Sequence, residues 1–436
     1  MKKKSALELN PAPSELMKWY VVGVLMLVYV FNFVDRQIIS VLQEPMRLEL
    51  GLSDTQLGLI QGLTFALFYV TMGIPLARWA DVGIRRDVVA LSVGVWSFMT
   101  ALCGLAQNFT QLLLARIGVG IGEAGGSPPS HSIISDLFPP GRRALPLSIY
   151  SFGITFGVFL AYVFGAWVSD NFGWRHVFIA LGIPGIVLAL IVRFTVPEPL
   201  RGRYDPPGAN RAPPGMLAVI KTLFRTRTFV HLSFAAALHA FVGYGLSAFL
   251  VSFYVRTYSI PLDEISTVAL PLGFIIGIAG VVGGFAGGYL GDRLSQRDAR
   301  WAMWVPALAN LLAVPCGAVA ILNRDFHTSL ALYSLPLMFA YMYLGPTLAV
   351  THSLVAPRMR ALASAVLFFI VNLIGLGLGP TIVGILSDVL SPKYGSDGLR
   401  YALVLTVFVN LWSAVQYYIA SRHLKQDLEA INESHQ

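Results

Sequence analysis

Twelve apolar runs, each long enough to cross a lipid bilayer, constrain this chain more than any other feature. They lie near residues 18–42, 55–77, 87–106, 110–137, 144–169 and 174–195, and again near 228–256, 264–290, 300–322, 328–355, 361–390 and 399–421. A helix needs roughly 20 apolar residues to cross the hydrocarbon core. In that core a segment must satisfy its own backbone N–H and C=O groups, so the runs predict helices. Composition agrees: 56% of the 436 residues are hydrophobic and 12% are charged, against about 25% charged in soluble domains. The expected fold class is an all-α membrane protein. Soluble enzymes and nucleic-acid-binding modules are not consistent with it.

The net charge of +8 is explained by where the basic residues fall. With both termini on one side, that side receives 23 Lys and Arg and the other receives six: Arg47, Arg175, Arg256, Arg324, Lys393 and Arg400. Basic residues collect on the cytoplasmic side, so both termini are expected there. The KKKS start is followed by polar residues and then a full-length run, which does not read as a cleaved signal. The organisation expected is a cytoplasmic tail (1–17), six spans (18–195), a Pro-, Gly- and Arg-rich linker (196–225), six more spans (226–422) and a second tail (423–436). Cys103 and Cys316 fall in apolar runs, as small core residues rather than a disulfide.

The two sets of six repeat each other. The loop after span 2 reads ARWADVGIRR and the loop after span 8 reads GYLGDRLSQR. Asp81 and Asp292 hold equivalent places, with Arg85, Arg86 and Arg293 near them. The basic loops PPGRRA and PRMRA, after spans 4 and 10, match as well. Six-span repeats are a transporter architecture with the substrate site at mid-membrane. Asp81, Arg85, Arg86, Asp292 and Arg293 are therefore candidates for a cytoplasmic gate, the arginines pairing with acids across the contact between halves.

Charges inside spans 1 and 4 point to the chemistry. Asp35 and Arg36 interrupt span 1, and Arg116 and Glu123 lie in span 4. Charge at membrane depth is costly and marks solute, ion or proton pathways. Seven residues separate Arg116 from Glu123, almost two helical turns, so both face one side. Two acids and two arginines cancel. Burial disfavours a carboxylate and a neighbouring arginine favours it, so an acid that exchanges arginine partners between conformations couples protons to movement. Asp35 is the expected protonation site, Arg116 or Arg36 its alternating partner, and Glu123 a second acid or a partner for Arg36. Arg36 and Arg116 are also candidates to take an anionic substrate head, with Tyr69, Ser127, His131, Tyr150 and Tyr341 as further lumen contacts. Phe65, Phe68, Phe249 and Phe253 are candidates for an apolar slot. The few amides in the spans favour an amphipathic over a hydrophilic solute.

Other motifs have plainer readings. GIGEAG, from Gly120 to Gly125, matches a dinucleotide fingerprint in letters, but no βαβ unit surrounds it. Small-residue spacing at Gly118/Gly122/Gly126, Gly153/Gly157, Gly280/Gly284/Gly288 and Gly375/Gly379 predicts close helix packing. Pro128 and Pro129 predict a kink in span 4, and spans 5, 8 and 11 are expected hinges. His131, His239 and His352 lack metal-ligand spacing, so no metal or other cofactor is expected. No P-loop and no nucleophile–base pair points to an enzyme.

These residues resemble the major facilitator superfamily across essentially the whole chain. GYLGDR is similar to its cytoplasmic signature, from which the first copy departs at Ala77 and Val82. NFVDRQII in span 1, SDTQLGLIQG opening span 2 and ARIGVGIGEAGGSPPSHSIISDLFPPGRRALPLSIY through spans 4 and 5 resemble the spinster branch in a bacterial form. The resemblance implies a monomer in a bacterial inner membrane, set among membrane lipids. It implies transport of a lysophospholipid or sphingoid-phosphate-like solute, driven by the proton gradient. A drug or organic-anion transporter of the same superfamily and a lipid-modifying membrane enzyme are the alternatives.

Overall fold

A computed structural model describes residues 13–204, 216–356 and 359–433. Lys2, Lys3, Lys4, Arg211 and Arg358, used above to orient the chain, and residues 205–215 of the linker lie outside the described residues. The regular elements described are helical, and ten helices are long and apolar enough to cross a membrane. Spans 4 and 10 complete the expected twelve, each as two shorter helices in series: Phe109–Glu123 with Ser127–Leu137, and Phe326–Ala340 with Leu344–Ser353.

The breaks follow from local sequence. In span 4 the interruption falls at Ala124, Gly125 and Gly126, just before the expected proline kink. Pro128 and Pro129 occupy the first turn of the next helix, where a missing N–H costs nothing. In span 10 the chain turns at Tyr341, Met342 and Tyr343. Spans 5 and 8 run unbroken as Ala144–Phe172 and Ser266–Ser295. Span 11 loosens into a π-helical stretch, Asn372–Leu378, between Arg360–Val371 and Gly379–Tyr394.

The chain divides into two compact units that do not follow the halves of the sequence. The first comprises residues 1–42 and 67–211, the second residues 43–66 and 212–436. The first unit packs span 3 (Arg85–Cys103) against span 6 (Trp174–Thr195) and against the first part of span 4. The second unit packs span 12 (Asp397–Glu433) against spans 7 (Arg227–Tyr258) and 9 (Trp301–Leu322). It also takes in the end of span 1 (Glu15–Leu50) and the opening helix of span 2, Asp54–Gln61, which lies against span 11. That approach is close: a Cβ on Gly384 would stand 2.2 Å from the main-chain oxygen of Asp54.

Part of the linker is a helix, Met216–Arg225, whose Val219 and Leu223 are buried in one apolar cluster with Phe229 and Leu232 of span 7. Their spacing of four places both on one face. The packing stripe of span 8 is also not the expected one. Cβ atoms at Gly283 and Gly287 would meet main-chain oxygens of Met338 and Met342 at 2.1 and 2.3 Å, whereas Gly284 and Gly288 meet nothing within 4 Å. Gly283, Gly287 and Gly291 form the stripe, one face round from Gly280/Gly284/Gly288. Phe249 and Phe253 are fully buried and Phe65 is 2% exposed, so these three belong to packed core rather than to a slot open to solute.

Candidate functional site

Span 4 stops at Glu123, so this carboxylate sits at the C-terminal end of a helix. The dipole disfavours an anion there and favours a cation. Arg36 of span 1 answers it, its Nε donating to Glu123 Oε2 at 2.6 Å. The Arg36 guanidinium also stands over the rings of Tyr69 and Phe33, 4.7 and 5.4 Å from their centroids. Close arginine–aromatic contact of this kind is attractive. Of the two roles expected for Glu123, the structure shows partner to Arg36.

Asp35, one residue earlier, faces a different set. It is 2% exposed, with Thr100 of span 3 among its neighbours. Arg116, also 2% exposed, donates from Nη1 to the main-chain oxygen of Asp35 at 3.4 Å. Asp35 Oδ1 is buried without a hydrogen-bond partner. The four charges expected to meet do meet: Glu123 holds Arg36 in an ion pair, and Arg116 lies beside Asp35. Thr100 was not foreseen; its only sequence signal is a hydroxyl, beside that of Ser97, in the otherwise apolar run SFMTALC.

An aromatic stack lies in the same unit. Tyr150 of span 5 is parallel to Tyr29 of span 1 at 4.4 Å, and His131 meets it edge-on at 4.9 Å. Ser127 and Ser130 stand beside the buried Tyr150. Tyr69, Ser127, His131 and Tyr150 are thus gathered with Arg36 and Arg116 on elements of the first unit. Tyr341 belongs to the second unit, at the break of span 10, where it covers Gly280 and Gly283 of span 8.

The candidate gate residues pair differently from the expectation of acid–arginine contacts between halves. Arg85 is buried within the first unit: Nε donates to Glu198 at 2.7 Å, Nη1 to Ser132 at 2.8 Å and to Asp136, and Nη2 to the Pro199 oxygen at 2.9 Å. Arg86 bonds to Asp87 at 2.9 Å, and its main-chain N–H donates to Glu198. Four of the five N–H groups of the Arg85 guanidinium are taken by nearby acceptors, among them Asp136 and Glu198, acids the sequence reading had not paired with it. Asp81 is exposed, and Arg201 donates to its main-chain oxygen and to that of Ala80, capping the end of span 2. Asp292 and Arg293 are exposed, Arg293 turned onto Tyr289 of its own helix.

A second charged cluster, absent from the sequence reading, lies at the end of span 1 and the start of span 2. Arg256 of span 7 forks onto Asp54, both bonds 2.7 Å, and donates from Nε to Glu44 at 2.7 Å. Arg47 pairs with the other Glu44 oxygen at 2.7 Å. Ser387 donates to Asp54, and Asp388 of span 11 accepts the main-chain N–H groups of Asp54 and Thr55 at 3.1 and 2.8 Å. That carboxylate caps the helix N-terminus, where an anion is favoured. Arg47 and Arg256 had been read only as charges that orient the chain.

A sequence profile of the Major Facilitator Superfamily matches residues 25–380. The chain belongs to that superfamily: it is a transporter, not an enzyme. Within the superfamily it is of the spinster type. The structure of a bacterial homologue of the human lysosomal transporter Spinster, in an inward-facing and unoccupied conformation, aligns with TM-score 0.88 and 35% identity, covering 95% of this chain and 99% of that one. An MFS-type efflux pump of Mycolicibacterium smegmatis is 35% identical over 418 residues, 94% of each chain. The sphingosine-1-phosphate transporter SPNS2 of Danio rerio is 26% identical over 416 residues, 89% of this chain and 81% of that protein.

Proposed function

We propose that this transporter couples protons to the movement of an amphipathic, lipid-like solute of the lysophospholipid or sphingoid-phosphate class, with Asp35 as the proton switch. One observation carries the reading: Glu123 holds Arg36 in an ion pair, while the buried Asp35 beside it has an oxygen without a partner, as Glu123 Oε1 does, and no such pair with Arg36. An unpaired buried carboxylate is costly as an anion, and a proton removes that cost. An arginine brought to Asp35 in another conformation reverses the preference. A substrate phosphate competing for Arg36 releases Glu123 and disturbs the same group, which links solute to proton.

Arg36, flanked by Tyr69 and Phe33, suits a phosphate or carboxylate head, and the stack of Tyr29, Tyr150 and His131 offers aromatic surface beside it. The phosphorylated amphiphile named for the Danio rerio relative supports this substrate class. The proton gradient supplies the energy with no prosthetic group. The protein works as a monomer among the lipids of a bacterial inner membrane, both termini cytoplasmic and no nucleic acid involved. In that orientation the Arg256–Asp54–Glu44 cluster is an outer gate, and Asp81 and Asp292, one in each unit, lie on the cytoplasmic side. The efflux-pump relative favours a second reading, export of a drug or organic anion through the same machinery.

Proteoliposomes given a pH step and a labelled lysophospholipid test the proposal. Wild-type protein moves the label without changing it chemically, and Asp35→Asn loses the pH-driven component. An Asp35→Asn protein with unchanged pH dependence refutes the switch. Transport of a drug or hydrophilic anion, with the lysolipid left in place, selects the second reading.

A further inference from the structure

The second unit has a buried polar centre that the proton switch does not use. His239 of span 7 is 3% exposed, Asn310 of span 9 is fully buried and Asn410 of span 12 is 4% exposed. His239 Nε2 lies 2.9 Å from the main-chain oxygen of Ala340, the last residue before the break in span 10. Its ring leans on Tyr343, just past that break, with centroids 4.4 Å apart. The Asn310 and Asn410 amides face the same ring.

The acceptors here are not matched to donors. A carbonyl oxygen only accepts, so His239 Nε2 carries the hydrogen, and Nδ1 of the neutral ring is an acceptor. Asn310 donates to Ser413 at 2.8 Å, and Ser413 donates onward to the Ala235 oxygen at 2.7 Å. His239 Nδ1, Asn310 Oδ1 and Asn410 Oδ1 are all buried without a partner. Three acceptors share one neighbourhood, and neither the second amide hydrogen of Asn310 nor the two of Asn410 are placed on any of them. The titratable group packed on the ring is the Tyr343 phenol; spans 9 and 12 present neutral amides and the Ser413 hydroxyl.

We propose that His239, Asn310 and Asn410 form a binding site for one water molecule, which donates its two hydrogens among these acceptors and ties spans 7, 9 and 12 to the break in span 10. Buried waters typically occupy sites of this kind, with two to four polar partners. A proton on Nδ1 would also supply a donor, but as a buried cation with no counter-charge, which is far more costly. The site therefore stays neutral and hydrated.

Nitrogen-15 NMR of histidine-labelled, full-length protein in nanodiscs tests this, with the His239 signal identified by its loss in His239→Gln. The expected ring is neutral with hydrogen on Nε2 from about pH 5 to about pH 8, the range where an ordinary histidine titrates. Nδ1 is hydrogen-bonded and receives magnetisation from water, and it keeps that bond in Asn410→Leu, because the water still bridges to Asn310. A cationic His239 within that range overturns the proposal in favour of a bound proton. Loss of the Nδ1 bond in Asn410→Leu, with no water transfer in the wild type, overturns it in favour of a direct amide contact.

Discussion

The polar centres of the two units occupy corresponding places in the repeat and are built from opposite materials. In the first, Arg36 of span 1 reaches Glu123, the last residue before the break in span 4. In the second, His239 of span 7 reaches Ala340, the last residue before the break in span 10. One junction is an ion pair beside another buried acid and arginine; the other joins a ring nitrogen to a carbonyl among amides. The broken helix thus provides the same end in both units, and the side chains decide what it does. In the function proposed above the charged junction changes state with protons and solute, whereas the neutral one is proposed to hold the helix break in place.

The largest stability effect is expected where that contrast is broken from the charged side. Glu123→Gln removes the fully buried counter-ion of Arg36, whose own side chain is 20% exposed; breaking a buried pair costs up to about 3–5 kcal/mol, a thermal melt should show the loss, and adding Arg36→Gln should recover part of it. Full additivity of the two changes would mean the pair is not coupled. Arg256→Leu comes next. It strands Asp54 and Glu44, but Arg47 still serves Glu44 and Ser387 still donates to Asp54, so a smaller loss is expected. Cross-linking of span 2 to span 11 should also fall, and cross-linking unchanged in the variant would contradict a gate there. The smallest effect concerns the neutral unit. Gly287→Ala drives a methyl into the Met342 backbone and should lower the melting temperature, while Gly284→Ala faces open space and should leave it unchanged. Equal effects would contradict the packing register of span 8.

What could be read from the sequence follows the reach of each interaction. Span lengths and the intramembrane charges were legible because hydrophobicity is local and Asp35 stands out against it. The meeting of spans 1 and 4 was legible because the repeat and the seven-residue spacing place Arg116 and Glu123 on one face. The cluster around Arg256 was not: its acids, Glu44 and Asp54, are about 200 residues away in the chain, and each looks like an ordinary helix-end charge. The glycine stripe of span 8 failed for another reason. GVVGGFAGGYLGD carries two stripes at the same spacing, and only the neighbour, span 10, selects one. Arg85 was recognised as important, yet its partners Asp136 and Glu198 lie in other elements, so the direction of its pairing could not be read.

Proton counting tests the proposed switch most directly. When a lysophospholipid binds wild-type protein in a weakly buffered solution carrying a pH indicator, the number of bound protons should change, and Asp35→Asn should bind the same ligand with no such change. An Asp35→Asn protein that binds the ligand and still exchanges protons as the wild type does would contradict the account.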